Sequence, residues 1–295
     1  MQLKAYAKIN WDLHVLGKRA DGFHVLDTVM VNVSLFDTLT FEPSDTIKFT
    51  CSDATLPVDD SNLVVKAARI LARESGINAG VRIHLEKNIP AGGGMGGGSS
   101  DAACTLKGLN KLWSLNWPVE KLQPLAAEIG SDVAFFLYGG WQRCSGRGEV
   151  VEAIKDAVSW PSVRVLLVLP PLHVSTPLAY KSLQAGPWDG KTGLRSLTDV
   201  KRQLECVVEN AHLVEGVNFG LRNDLTIAAR KVEPRLEKVQ RALETLYPGR
   251  WLMSGSGAVH FAIPGSNDDG SRLKEALEKD SGPGTRVLTA TTFTP

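Results

Sequence analysis

The sequence predicts an α+β protein of two domains, and three observations carry the prediction. The chain has 295 residues, 43% of them hydrophobic, which is more than one core of about 100–150 residues usually organises. Its opening is rich in strand-like alternation. Helical and strand patterns are then interspersed through the remainder. A boundary near Trp160 separates 1–160 from 161–295, where the loop around "VSWPS" gives way to the fresh apolar run "SVRVLLVLPPLHVST".

Taken in order, "KAYAKINWDLHVLGK" alternates apolar and polar residues and stops at the turn-like "RADGFH", so it reads as a strand. "HVLDTVMVNVSLFDTLTFEP" and "TIKFTC" continue in the same manner. "SNLVVKAARILARESG" is a helix: Leu63, Val64, Ala67, Ala68, Ile70 and Leu71 recur at helical spacing, Ser61 is placed to cap the first turn, and Gly76 is placed to end the last. "VRIHLEKNIP" is a strand that runs into six glycines within the seven positions Gly92–Gly98, broken only by Met95. A helix opening at Ser99 or Ser100 follows, with Ala102, Ala103, Leu106, Leu109 and Trp113 on one face, and then a second at "PVEKLQPLAAEIG". The later half holds helices at "TDVKRQLECVVEN" and "DLTIAARKVEPRLEKVQRALETLY" and strands at "RWLMSG", "AVHFAIP" and "TRVLTATTF". There are no internal repeats.

A net charge of +1 with 22% charged residues makes no field that recruits nucleic acid or an anionic membrane, so the expected partner is a small molecule. Cys51, Cys104, Cys144 and Cys206 are scattered without a CxxC pair, which argues against a zinc site or a disulfide scaffold. The first residues lack a basic segment followed by an apolar one, and no stretch is long and apolar enough to span a bilayer, so a cytoplasmic protein is expected. His14, His84 and His260 lie in alternating segments without a full ligand set and read as structural or surface residues; no metal ligand is assigned.

The glycine run calls for a ligand. Backbone N–H groups converge on an anion only where side chains do not shield them, and glycine allows the positive φ angles that turn successive amides to one side. A helix starting just after adds its first-turn donors and dipole. Together these favour a phosphate. No lysine follows the last glycine, so the Walker pattern fails, and a GxGxxG can be traced only because glycines are so frequent. A dinucleotide-binding reading also wants an early βαβ unit, whereas this loop follows a β-rich opening.

"PAGGGMGGGSSDAA" resembles the second motif of the GHMP small-molecule kinases. "AKINWDL" resembles their first, and "MSGSGAVHFA", Met253 to Ala262, their third, in the same order along nearly the whole chain. "KRADGFHVLDTVM" and "GSDVAFFLYGG" are most similar to the members that act on a cytidine diphosphate-linked polyol, in the non-mevalonate isoprenoid route. The resemblance implies a two-domain GHMP kinase fold, with a ribosomal-protein-like N-terminal domain and a ferredoxin-like C-terminal domain. Another kinase of the superfamily, acting on mevalonate, homoserine or a sugar, is the alternative within the class. A nucleotide-binding protein without turnover is the alternative outside it.

The resemblance also assigns roles. Pro90, Ala91, Gly92, Gly93, Gly94, Met95, Gly96, Gly97, Gly98, Ser99 and Ser100 form the ATP phosphate cradle, and Mg2+ arrives chiefly on the phosphate oxygens. Lys8 and Asp132 form the catalytic pair, the aspartate as general base. His24 and Phe23 meet the pyrimidine, Tyr180 stacks on it, and Asn10 fixes the erythritol or phosphate end. Read without the resemblance, Asp132 is a helix cap or turn residue and Lys8 an exposed strand lysine.

Overall fold

The computed structural model describes residues 1–154, 157, 159–210, 219–281 and 284–295. Two compact units share the chain discontinuously. Unit 1 holds Met1–Ala7, Leu35–Ala91 and Gly96–Gly139; unit 2 holds Lys8–Ser34, Gly92–Met95 and Gly140–Pro295. The sequence boundary at 160/161 falls inside unit 2. Two long strands, β1 (Gln2–Lys18) and β2 (His24–Ser44), pair with each other and give residues to both units, so no single cut separates them.

In unit 1, β3 (Ile47–Cys51) runs parallel to β4 (Gly80–Glu86), and β4 runs antiparallel to the later part of β2, from Thr38 opposite Glu86 to Ser44 opposite Gly80. Parallel neighbours need a crossover, and α1 (Leu63–Ser75) supplies it. Its stripe Val64, Ala67, Ala68 and Leu71 is buried, and Gly76 ends it at φ 67°, both as the spacing predicts. The N-cap differs from the expectation. Asn62 accepts from the Val64 N–H at 2.9 Å, while Ser61 is drawn into an Asx turn in which its N–H and hydroxyl both donate to Asp59. Three helices follow: α2 (Gly97–Leu112), α3 (Val119–Ile129) and α4 (Val133–Tyr138). Helix α2 opens at Gly97, ahead of the expected serines, because Gly96 already takes the left-handed N-cap conformation at φ 67°. A Cβ at Gly108 would stand 2.8 Å from the Phe41 ring, so glycine there lets α2 lie directly on β2.

Unit 2 contains β5 (Gln142–Gly146) and β6 (Val150–Ala153) beside the first part of β2. It then builds on β7 (Arg164–Leu169), α5 (Thr176–Leu183), α6 (Leu197–Asn210), β8 (Arg222–Asn223), α7 (Leu225–Val232) and α8 (Leu236–Leu246). β9 (Trp251–Met253), β10 (His260–Ala262), α9 (Ser271–Ser281) and β11 (Arg286–Phe293) complete it. The strands lie in the order β11, β7, β10, β9, all antiparallel. Strand, helices, two strands, helix, strand with the first strand inside is the ferredoxin-like arrangement. Leu166 and Val168 of β7 pack with Val239 and Leu243 of α8 and with Leu273 and Leu277 of α9. The sequence reading has a single helix from Asp224 to Tyr247. The structure breaks it at Glu233 (φ −131°, ψ 86°), because Pro234 pushes the preceding residue out of helical space. Among the described residues no helix is long and apolar enough to cross a membrane.

Candidate active site

The turn between β9 and β10 closes on itself, Ser254 N–H donating to Val259 O at 2.9 Å and Gly257 N–H to Ser254 O at 3.0 Å. It also grips the glycine run. Val259 N–H donates to Gly93 O at 3.1 Å, and Ser254 Oγ donates to Gly94 O at 2.8 Å. Asn223 braces the turn by donating to Met253 O at 2.7 Å and Gly255 O at 2.8 Å. Within the run, Gly92, Gly94 and Gly96 take φ of 69°, 80° and 67°, alternating with residues of negative φ. That alternation turns consecutive amides to one side, as an anion cradle requires. Met95 between them is buried and anchors the turn.

Lys8 belongs to the same web. It is buried, not exposed as an isolated strand lysine would be, and its ammonium donates to Asn10 Oδ1 at 2.6 Å and to Gly94 O at 2.9 Å. Its own N–H donates to Met95 O at 3.0 Å. Asn10 is equally buried and is oriented by its Nδ2 donating to Thr28 Oγ1 at 2.9 Å and its N–H to Ser254 Oγ at 3.3 Å. Residues of all three motifs, Lys8, Gly94 and Ser254, therefore meet at one atom, the carbonyl oxygen of Gly94.

In unit 1, Pro90 and Ala91 lead into the run and Gly97, Gly98 and Ser99 form the first turn of α2, whose N–H groups lie ahead of the first i−4 bond, Ser100 N–H to Gly96 O at 2.8 Å. Ser99 is half-exposed. Ser100 is buried and its hydroxyl donates to Tyr6 O at 2.7 Å, so that proton serves the fold and not a ligand. Asp132, also in unit 1, precedes α4 at φ −84° and ψ −7°; its side chain makes no capping bond, so the helix-cap reading does not account for it.

His24 and Tyr180, both in unit 2, are stacked with ring centroids 4.9 Å apart and an interplanar angle of 28°. Burial, with Lys18 nearby, moves the His24 imidazole below its ordinary pKa, which keeps it neutral and able to both donate and accept. Phe23 is 52% exposed, an unusual place for a ring, and the Arg147 guanidinium lies 4.9 Å from its centroid.

Comparison with known proteins decides the family. Residues 62–140 match the model of the GHMP kinases N terminal domain. The chain is 38% identical, over 278 residues covering 94% of each chain, to the 4-diphosphocytidyl-2-C-methyl-D-erythritol kinase of Chloroherpeton thalassium. The chain belongs to the 4-diphosphocytidyl-2-C-methyl-D-erythritol kinase family of GHMP kinases. A solved 4-(cytidine 5'-diphospho)-2C-methyl-D-erythritol kinase is 32% identical and covers all of both chains at a TM-score of 0.76. The homoserine kinase of Cytophaga hutchinsonii, 21% identical with a TM-score of 0.68 over 99% of this chain and 95% of its own, shares the fold alone.

One group in this family member is absent from the sequence reading. Arg195 forks onto Asp12, at 2.6 and 3.0 Å, and onto Asp27 at 2.9 Å, and its N–H also donates to Asp27 at 2.7 Å. Asp27 also takes Arg143. Burial alone would raise the Asp27 carboxyl, but the bonds from Arg195 and Arg143 outweigh it and hold the pKa below the ordinary value. This web fastens the segment before α6 to β1 and β2. The partners are 168 and 183 positions apart, and nothing local in the sequence marks them.

Proposed function

We propose that the chain transfers the terminal phosphoryl group of ATP to the 2-hydroxyl of 4-diphosphocytidyl-2-C-methyl-D-erythritol, giving the 2-phosphate and ADP, a step of the non-mevalonate isoprenoid route carried out in the cytoplasm. The observation that carries this reading is the shared acceptor: Gly94 O takes both the Lys8 ammonium and the Ser254 hydroxyl. A buried cation is thereby built into the backbone of a phosphate-type loop.

Phosphoryl transfer to an alcohol needs a cradle for the triphosphate, a counter-charge for the group in transit, and a residue that orients or deprotonates the hydroxyl. The loop from Gly92 to Ser100 is the cradle in this reading, with the first-turn amides of α2 adding donors. Lys8 is the counter-charge. Asp132 is the general base that accepts the hydroxyl proton, typically worth about a hundredfold or more in rate. His24, Phe23 and Tyr180 take the cytosine ring, and Asn10 steadies the polyol end. Among the described residues no three His, Cys, Asp or Glu side chains gather to hold a metal; the triphosphate is itself an all-oxygen ligand suited to Mg2+, which supplies charge neutralisation when bound there.

A coupled ADP-release assay across cytidine-linked methylerythritol, mevalonate, homoserine and sugar acceptors tests the reading. Turnover with the cytidine-linked alcohol, inhibited by free cytidine diphosphate, is expected. Phosphorylation of homoserine or mevalonate with no competition from cytidine nucleotides would overturn the substrate. ADP binding without turnover on any acceptor would leave a nucleotide-binding protein.

A further inference from the structure

A second buried lysine lies beside the glycine run, within unit 1, and the mechanism above does not use it. Lys87 follows the last residue of β4, and its side chain is 5% exposed. Its ammonium is bonded to Asp37 Oδ2 and lies 3.2 Å from Asp101 Oδ2, and both of those carboxyls are as buried as the lysine. Asp37 uses its other oxygen to accept the N–H groups of Asn88, at 2.5 Å, and Ile89, at 2.8 Å, which sets how the chain leaves the strand. Asp101 lies on α2 just past its first turn, and its Oδ1 has no hydrogen-bond partner. The helix start presses close upon the cluster: a Cβ on Gly97 would stand 2.8 Å from the Lys87 ammonium and 3.0 Å from Ile89 Cγ2.

A carboxyl buried with one oxygen unpaired is costly, and nothing about α2 as a helix calls for it. Its position is explained by what it reaches. Through Lys87, the two ends of the glycine run are joined: Asp37 holds the exit from β4, and Asp101 holds α2 immediately after its first turn. We propose that Lys87 is a positioning residue for the kinase reaction, bridging Asp37 and Asp101 so that the first-turn amides of α2 are held at the spacing an ATP phosphate needs. The inference rests on the reading that those amides face the phosphates. Charge is consistent with it. Burial, partly offset by Lys87 and reinforced by Asp37, pushes the Asp101 carboxyl up to about 8, so near neutral pH it largely keeps its proton and adds little negative charge behind the loop.

The test is calorimetric titration of the full chain with ADP and, separately, with cytidine diphosphate, alongside KM values for both substrates. The double variant Lys87→Met/Asp37→Asn removes the bridge without leaving an unpaired charge, and the amide oxygen it introduces can still accept the Asn88 and Ile89 N–H groups. Loss of a charge-assisted bridge predicts ADP binding weakened about tenfold or more and ATP KM raised alike. Cytidine diphosphate affinity and acceptor KM should stay within about twofold of wild type on the same footing. Undiminished ADP binding would overturn the inference. So would parallel loss of both ligands, or a double variant that fails to fold, either of which makes the cluster plain scaffolding. A wild-type chain that binds no ADP would instead overturn the functional reading beneath it.

Discussion

Replacing Gly94 with alanine should do damage out of proportion to one methyl group. The residue stands at φ 80°, where a side chain costs about 1–2 kcal/mol. The new Cβ would lie 2.1 Å from Ser254 O, so the loop must retreat by about 0.9 Å to reach the 3.0 Å that Cβ contacts tolerate. That retreat stretches the bonds that Gly94 O accepts from Ser254 Oγ, at 2.8 Å, and from the Lys8 ammonium, at 2.9 Å. A neutral hydrogen bond contributes about 1 kcal/mol and a charged one about 1.5–3. The total is about 4–6 kcal/mol against holding the present geometry, so the loop should rearrange, and expressing even half of that in binding lowers ADP affinity about a hundredfold. Calorimetry with ADP, paired with thermal unfolding, reads the effect. Gly98→Ala sharpens it, because that position lies inside α2 with its nearest neighbour, Leu63 Cδ1, at 3.6 Å. There alanine should raise stability by about 0.4–1 kcal/mol. A Gly94→Ala chain that bound ADP as wild type does, at an unchanged Tm, would refute the claim that the three motifs depend on contact at this residue.

Asp132→Asn should retain ADP and cytidine diphosphate binding and lose about a hundredfold or more in kcat; near-normal kcat in a folded variant would remove the base, and an unfolded variant would make Asp132 structural. Tyr180→Ala should weaken cytidine diphosphate by about 1–3 kcal/mol and Tyr180→Phe should change it little, whereas equal losses in both would assign the effect to the hydroxyl instead of the ring. For Asp101, the folded chain keeps a proton that the unfolded chain has lost between the ordinary value of 3.8 and about 8, so its contribution to stability falls as pH rises through that window. Asp101→Asn removes this dependence, and its Tm should gain on wild type steadily from pH 5 to about pH 8; a constant Tm difference across that range would mean that Asp101 is ionised in the fold.

What was legible in the sequence follows from how local each feature is. The stripe on α1, its glycine stop and the positive φ values of the glycine run are set by spacing and by a residue type that alone tolerates them, so they read directly. Competition between neighbours does not. Ser61 and Asn62 are both good caps, and Asp59 decides between them by capturing the serine. Pro234 sat in plain view, but the apolar periodicity runs through it, and a stripe does not reveal whether one helix or two carry it. Helix α9 is mostly polar, with Leu273 and Leu277 as its buried contacts, too sparse a pattern to separate from a loop. The Arg195 web and the Lys87 bridge join residues remote in sequence, and no local pattern encodes a partner so far away.

The two buried lysines show why residue type and burial together do not assign a role. Lys8 and Lys87 are both withdrawn from water beside the glycine run, and removing an ammonium from water costs several kcal/mol unless its protons are taken up. The acceptors differ. Lys87 faces two carboxyls, one of which holds the neighbouring backbone, so its charge is cancelled locally and its work is to hold a shape. Within unit 2, Lys8 donates to an amide oxygen, Asn10 Oδ1, and to a backbone carbonyl, Gly94 O, two neutral dipoles that fix where its ammonium stands. A positive charge fixed in place by neutral dipoles needs no reorganisation when negative charge develops nearby, and that is the property a phosphoryl group in transit can use. Replacing Asn10 with aspartate would put a carboxylate where a neutral acceptor now stands 2.6 Å from the ammonium: the fold should survive, while the field that Lys8 offers the phosphate is weakened. Thermal unfolding and kcat measured on the same Asn10→Asp chain separate the two effects, and a folded variant with undiminished kcat would refute the distinction.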